Sequence, residues 1–96
     1  MHRYELVVII SPLVADDEVQ DTFERLVRRP IEGQGGTCQE VNLWGRRKLA
    51  YAVKKHLEGN YVVTQLELEP DKAKELEQGL LISEDVIRHL LVRLDE

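Results

Sequence analysis

The chain has 96 residues, 43% of them apolar and 32% charged, and sets 13 Lys+Arg against 18 Asp+Glu for a formal net charge of −5. A chain of this size makes one domain that buries roughly 60–65% of the surface its unfolded form exposes, which leaves no room for a second domain or a deep enclosed active site. The composition excludes disorder, the acidic balance argues against coating nucleic acid by bulk positive charge, and the single Cys38 excludes an internal disulfide. The aliphatic run from Leu6 to Ile10 falls far short of the ~20 residues of a membrane helix, and no signal peptide is visible, so the chain is expected in the cytosol and off the membrane.

In chain order, Met1 to Ile10 reads as a strand: Leu6, Val8 and Ile10 alternate with Glu5, Val7 and Ile9, until Ser11-Pro12 stops it. A helix follows. Asp16, Asp17 and Glu18 place negative charge on its first turn, Asp17 and Gln20 have the spacing of a capping box, and Val19, Phe23, Leu26 and Val27 fall on one face. Pro30 is expected to end or kink this helix near Arg29, and Gly33-Gln34-Gly35-Gly36 reads as the loop out of it. From Thr37 to Lys54 the pattern is a strand again, with Val41, Leu43, Leu49, Tyr51 and Val53 of one parity and Asn42, Trp44, Arg46, Lys48 and Lys54 of the other. At about 3.3 Å per residue, such a strand would run roughly 59 Å, more than twice the width of the domain. It must bend or project, and Gly45 sits where a bulge would bend it.

Glu58-Gly59-Asn60 is expected to turn the chain into a third strand, Tyr61 to Leu68, with Val62, Thr64, Leu66 and Leu68 on one face. Pro70 opens a second helix with Ala73, Leu76 and Leu80 inward, weakened by up to about 1 kcal/mol at Gly79. Val86 to Leu94 reads as the last strand. The order β-α-β-β-α-β defines an α+β, ferredoxin-like sandwich, a single domain over 1–96 with a four-stranded antiparallel sheet and two helices on one face. Val7, Ile9 and Trp44 are expected on the helix-free face.

No catalytic constellation emerges. His2, His56 and His89 lack the spacing of a helical metal pair, Cys38 forms no CxxC and reads as an inert small side chain, and His89 reads as a sheet residue with a satisfied ring. The glycine cluster after the first helix runs from helix into strand, the reverse of a phosphate-binding loop, so it reads as a tight turn. The acidic runs on the helices read as solvated faces. No metal, cofactor or small-molecule substrate is implied.

Charge segregation is the feature that points to function. Residues 41–56 hold Arg46, Arg47, Lys48, Lys54 and Lys55 with no acid, whereas residues 57–96 hold four basic and ten acidic side chains. Arg46, Lys48 and Lys54 share a parity and can meet phosphate along one surface. Trp44, the lone tryptophan, has the same parity and fits either a cover for the open sheet or a stacking anchor. Further basic contributions come from His2 and Arg3 on the first strand and Arg88 and Arg93 on the last.

The segments Arg3-Tyr4-Glu5, Pro12, Gly35-Gly36, Trp44 to Tyr51, Gly59-Asn60-Tyr61 and Ser83 to Arg88 resemble, in order and spacing, the bacterial ribosomal protein S6 family of the small subunit. The Gly-Arg-Arg-x-Leu-Ala-Tyr stretch is the specific part. The resemblance implies the βαββαβ fold and a non-catalytic, cytoplasmic constituent of the small ribosomal subunit. It also implies binding to the central domain of small-subunit rRNA and a heterodimer with the basic ribosomal protein S18. By position it carries RNA or partner contact to Arg3, Tyr4, Arg46, Arg47 and Arg88, while Lys48, Lys54 and Lys55 rest on the local charge. Three departures stand out: Ala15 replaces a capping residue, at a cost of about 1 kcal/mol unless Asp16 substitutes; Pro30 interrupts a helix that usually runs further; and no extended tail follows Glu96.

The fold alone does not decide the function. An RRM-type module would need aromatics in a basic-Gly-aromatic motif on the third strand, where Val62-Val63-Thr64 stands. An ACT-type regulatory domain binding a small ligand needs no basic arm. An acylphosphatase-like enzyme needs an anion-cradling Arg in the loop after the first strand, and Ser11-Pro12-Leu13-Val14 has neither arginine nor glycine.

Overall fold

The computed structural model describes residues 1–94. Strands β1 (His2–Ile10), β2 (Thr37–Val53), β3 (His56–Leu68) and β4 (Val86–Arg93) form one sheet in the order β2-β3-β1-β4, with every neighbouring pair antiparallel. Both helices cover one face, so the ferredoxin-like sandwich expected from the pattern is what forms. Tyr4, Leu6, Val8 and Ile10 of β1 and Val62, Leu66 and Leu68 of β3 point into the helix-side core. They meet Val19, Phe23, Val27 and Ile31 of the first helix and Ala73, Leu76 and Leu80 of the second.

The first helix departs from expectation at both ends. Its start is a tight turn, Asp16–Glu18, whose flanking Ala15 makes no side-chain cap, and the Asp17–Gln20 capping box does not form. Its end is not at Arg29. An α-helical stretch (Val19–Phe23) widens into a π-helical one (Glu24–Arg28), and α-helix resumes from Arg29 to Gly33. The Arg29 amide donates to the Glu24 carbonyl, five residues back rather than four. Proline lacks a donor and its ring clashes with the carbonyl of the preceding turn, and the wider turn removes both problems without stopping the helix. Ile31, beyond the proline, is thereby added to the core with no exposure at all. The helix ends where the glycines begin. The Gly36 amide donates to the Ile31 carbonyl (3.0 Å), the Gly35 amide to the Glu32 carbonyl (3.2 Å), and Gly35 takes φ +86°, a Schellman stop.

The second helix spans Pro70–Ile82 with Ala73, Leu76 and Leu80 buried, as the spacing predicts. The remaining differences lie in the β2–β3 hairpin. Its turn is not Glu58-Gly59-Asn60 but Lys54-Lys55, both at positive φ (+50° and +68°), with Val53 paired to His56 across it. Glu58, Gly59 and Asn60 lie inside β3. Gly59 is there because a Cβ would collide with Ile9 Cγ2 and stand 3.2 Å from Ile87 Cδ1, so the residue serves close packing rather than a turn. The long β2 is irregular at three places, at Glu40 (φ +37°), between Leu43 and Gly45 (Gly45 φ +83°) and between Lys48 and Val53, and the molecule stays within 35 × 25 × 23 Å.

Candidate nucleic-acid interface

The bulge before Gly45 rearranges the basic arm. Leu43 pairs with Val62, Gly45 with Tyr61 and Arg46 with Asn60, so the residue between, Trp44, is extra to the ladder. A bulge residue shifts the alternation by one. Arg46 and Lys48 therefore follow Leu43 onto the helix side of the sheet, and Trp44 goes to the open face. The expectation that Trp44, Arg46, Lys48 and Lys54 share one surface is corrected on this point.

On the open face Trp44, half exposed, stacks on Tyr61 with ring centroids 6.4 Å apart and planes 10° from parallel. The Arg47 guanidinium sits 5.0 Å from the Trp44 ring centroid, a cation–π contact that steers the charge to the rim of the aromatic pair. Tyr61 pairs with Ile9 on β1, and next to it lies a shallow cavity of about 190 Å³ whose lining includes Val7, Ile9, Tyr61, Arg88 and Leu90. Leu90 (57% exposed) and Val92 (44%) extend the apolar surface along β4. Val7, Ile9 and Trp44 thus take the helix-free face expected of them.

On the other face, Arg46 is engaged within the protein. Its Nη1 donates to Glu58 Oε1 (3.0 Å), and its Nη2 donates to the Pro12 carbonyl (2.9 Å) and to Asp16 Oδ1 (3.3 Å). The Glu58 hydrogen bond first, and then the charge of Asp16, hold the Arg46 guanidinium above even its high ordinary pKa, so it stays charged at any working pH. Asp16 therefore serves Arg46 instead of capping its helix. At the tip, Lys54 Nζ donates to the Val86 carbonyl (3.3 Å) and Arg88 Nη1 to the Tyr51 hydroxyl (2.7 Å). The hairpin curls across the end of β1 and its tip rests on β4.

The candidate residues are accordingly dispersed. Arg47, Lys48 and Lys55 are exposed, and among the described residues none of them is held by a hydrogen bond or ion pair. Arg46, Lys54 and Arg88 have partners within the fold. Arg3 is exposed on the open face but pairs with Glu67, at the far end of β3 from the arm. Tyr4 is only 8% exposed; its register opposite Leu66 directs it into the helix-side core, so its ring is a core group and not a surface contact. Tyr61, Tyr51, Leu90 and Val92 were not assigned from the sequence, although the alternation of Arg88, Leu90 and Val92 on a strand already marks them as one face. Cys38 is half-buried with Sγ 3.2 Å from Thr64 Oγ1, and His89 Nε2 lies 3.0 Å from Glu77 Oε2, so both are partnered as their structural readings require.

A two-layer sandwich with an aromatic and apolar patch on its open sheet, bordered by a cationic arm of which Arg47, Lys48 and Lys55 lack hydrogen-bond or ion-pair partners among the described residues, defines a module of the ferredoxin-like class. The family model of ribosomal protein S6 matches residues 3–93. The chain is 41% identical over its full length to the small ribosomal subunit protein bS6 of Arthrobacter sp. (strain FB24), covering 94% of that protein. It is 40% identical to that of Moorella thermoacetica, covering 97%. The 30S ribosomal protein S6 of Thermotoga maritima matches with a TM-score of 0.88 at 32% identity, over 97% of this chain and 87% of the other. The chain belongs to the ribosomal protein S6 family, whose members are structural, non-enzymatic components of the small ribosomal subunit in the cytoplasm. That membership replaces the ACT-type regulatory reading.

Proposed function

We propose that the chain binds the central domain of small-subunit rRNA as a heterodimer with ribosomal protein S18. The observation that carries this reading is the arm: Arg47, Lys48 and Lys55 project from a stretch, 41–56, that has five cations and no acid, and none of them has a hydrogen-bond or ion-pair partner among the described residues. Charges kept out of internal pairs in an otherwise acidic protein fit phosphate, whose neutralisation releases counterions. Trp44 with Arg47 at its rim, and Arg3 and Arg88 on the same face, extend the contact surface. Lys54 and Arg46 hold the tip and root of the arm in place, and Tyr4 acts only as a core group beneath the β1–β3 pair. The acidic remainder attracts a basic partner protein while the arm meets RNA.

The test is a gel-shift titration of Arg47→Ala/Lys48→Ala with the partner and a central-domain RNA fragment across a salt series. Loss of two phosphate contacts should weaken the complex about 10- to 30-fold near 0.1 M salt and lower the log–log salt slope by about two. The melting temperature of the free protein should fall by no more than a few degrees, since neither side chain has a hydrogen-bond or ion-pair partner and the exposed Arg47–Trp44 cation–π contact is worth about 0.5–1 kcal/mol. Unchanged affinity and slope would remove the arm from the interface.

A further inference from the structure

Arg46 carries the charge of a phosphate ligand, yet its three acceptors come from three separate parts of the chain. Glu58 belongs to β3, the Pro12 carbonyl to the loop after β1, and Asp16 to the turn that starts the first helix. One guanidinium thus joins the root of the β2–β3 arm to the body of the domain. Both terminal nitrogens are occupied, and two carboxylates stand beside them, which disfavours an incoming phosphate electrostatically. The bulge at Gly45 is what aims Arg46 at these acceptors and its neighbour Arg47 at the opposite face.

We propose that Arg46 is a positioning residue: its three-way fork fixes the root of the arm against the loop after β1, and so sets the direction in which Arg47 and Lys48 present their charges, without meeting phosphate itself. The tip is tied independently, by Lys54 to the Val86 carbonyl and by Arg88 to Tyr51. With the root released and the tip held, the arm pivots on its far end, and Arg47 on one face and Lys48 on the other lose their fixed orientations. The RNA side of this inference rests on the function proposed above.

Lysine separates the two roles. It serves a phosphate as a point charge but cannot reproduce a planar fork across separated acceptors. Arg46→Lys and Arg46→Met are compared with Arg47→Met in RNA-binding salt titrations of the complex with the partner protein. Positioning predicts that both Arg46 variants lose about three- to tenfold in affinity through lost preorganisation, with the log–log salt slope unchanged. It also predicts that Arg47→Met lowers the slope by about one. A slope that falls by about one in Arg46→Met and is restored in Arg46→Lys would make Arg46 a phosphate ligand and overturn the proposal. Wild-type affinity in both Arg46 variants would overturn it as well.

Amide exchange of the free Arg46→Lys protein supplies a readout without RNA. Exchange across Val41–Lys48 should quicken by about threefold or more while the Leu6–Ile10 amides keep their protection, because only the root of the arm loses a restraint. Unaltered exchange in the arm counts against positioning whatever the RNA data show. A flat slope in Arg47→Met, with arm exchange quickened in Arg46→Lys, instead rejects the RNA reading and leaves Arg46 as the restraint of the arm.

Discussion

Phe23→Ala is expected to lose about 3–5 kcal/mol of stability, the usual cost of emptying a large buried aromatic site. Phe23 is the only phenylalanine and has no exposure, packed between the helix and the inward residues of β1 and β3. A domain of this length has a total stability of only about 5–14 kcal/mol, so the truncation removes a large share of it. The melting temperature should fall by at least about 12 °C, and the urea midpoint should fall in step. Leu13→Ala provides the contrast: at 83% exposure it should stay within about 0.5 kcal/mol of the parent. Equal urea midpoints for the two variants would contradict the placement of the core.

Gly59→Ala should be the most costly of the alanine-for-glycine exchanges away from positive φ in β3 and the second helix. The added Cβ strikes Ile9 Cγ2, stands 3.2 Å from Ile87 Cδ1, and lies 3.3 Å from the Ile10 carbonyl, which belongs to a paired strand and cannot move freely. Overpacking of this kind costs about 1–3 kcal/mol. The same substitution at Gly79 should have the opposite sign. Nothing lies within 4 Å of a Cβ there, the residue is inside the second helix, and alanine is favoured by about 0.5–1 kcal/mol. Chemical denaturation of the two variants side by side reads both signs, and a stabilised Gly59→Ala would show that β1, β3 and β4 do not pack as closely as described. Because Gly59 faces Arg47 across the hairpin, this variant also displaces the root of the arm, so its RNA affinity should fall beyond what its stability accounts for.

The errors in the sequence reading have one cause in common: the deciding interaction is remote in sequence. Glu58-Gly59-Asn60 has the composition of a turn, and Lys54-Lys55, with two side chains forced to positive φ, does not. The hairpin nevertheless turns at the lysines. The glycine is required for contact with Ile9 and Ile87 on two other strands, which leaves only the lysines to close the hairpin. Pro30 reads as a stop or a kink because a regular α-turn cannot hold it, and burying Ile31 in the core favours the second outcome, a local distortion to a wider turn with the helix continuing. Asp16 sits where a helix cap belongs, and instead accepts from Arg46, thirty residues away.

The arm shows the same division. Its charge is readable directly, since five cations without an acid in residues 41–56 need no structure to be counted. Which of those cations face outward is not readable, because one extra residue at Trp44 exchanges the two faces from Gly45 to Lys48, and a second register shift before Val53 changes them again. Gly45 marks a bend in the sequence, but the register that makes the bend a one-residue bulge is set by pairing with β3. The net charge of −5 likewise says little until it is resolved into a cationic arm and an acidic remainder.

Local periodicity, proline and glycine punctuation and the run of basic residues are enough to dictate a four-stranded, two-helix sandwich with a positively charged hairpin, because each depends on neighbours in the chain. Cross-strand register, the π-turn, the curl of the arm onto β4 and the three acceptors of Arg46 depend on groups brought together only by folding. Those long-range contacts divide the cations into three that are free for a partner and others that hold the arm in place.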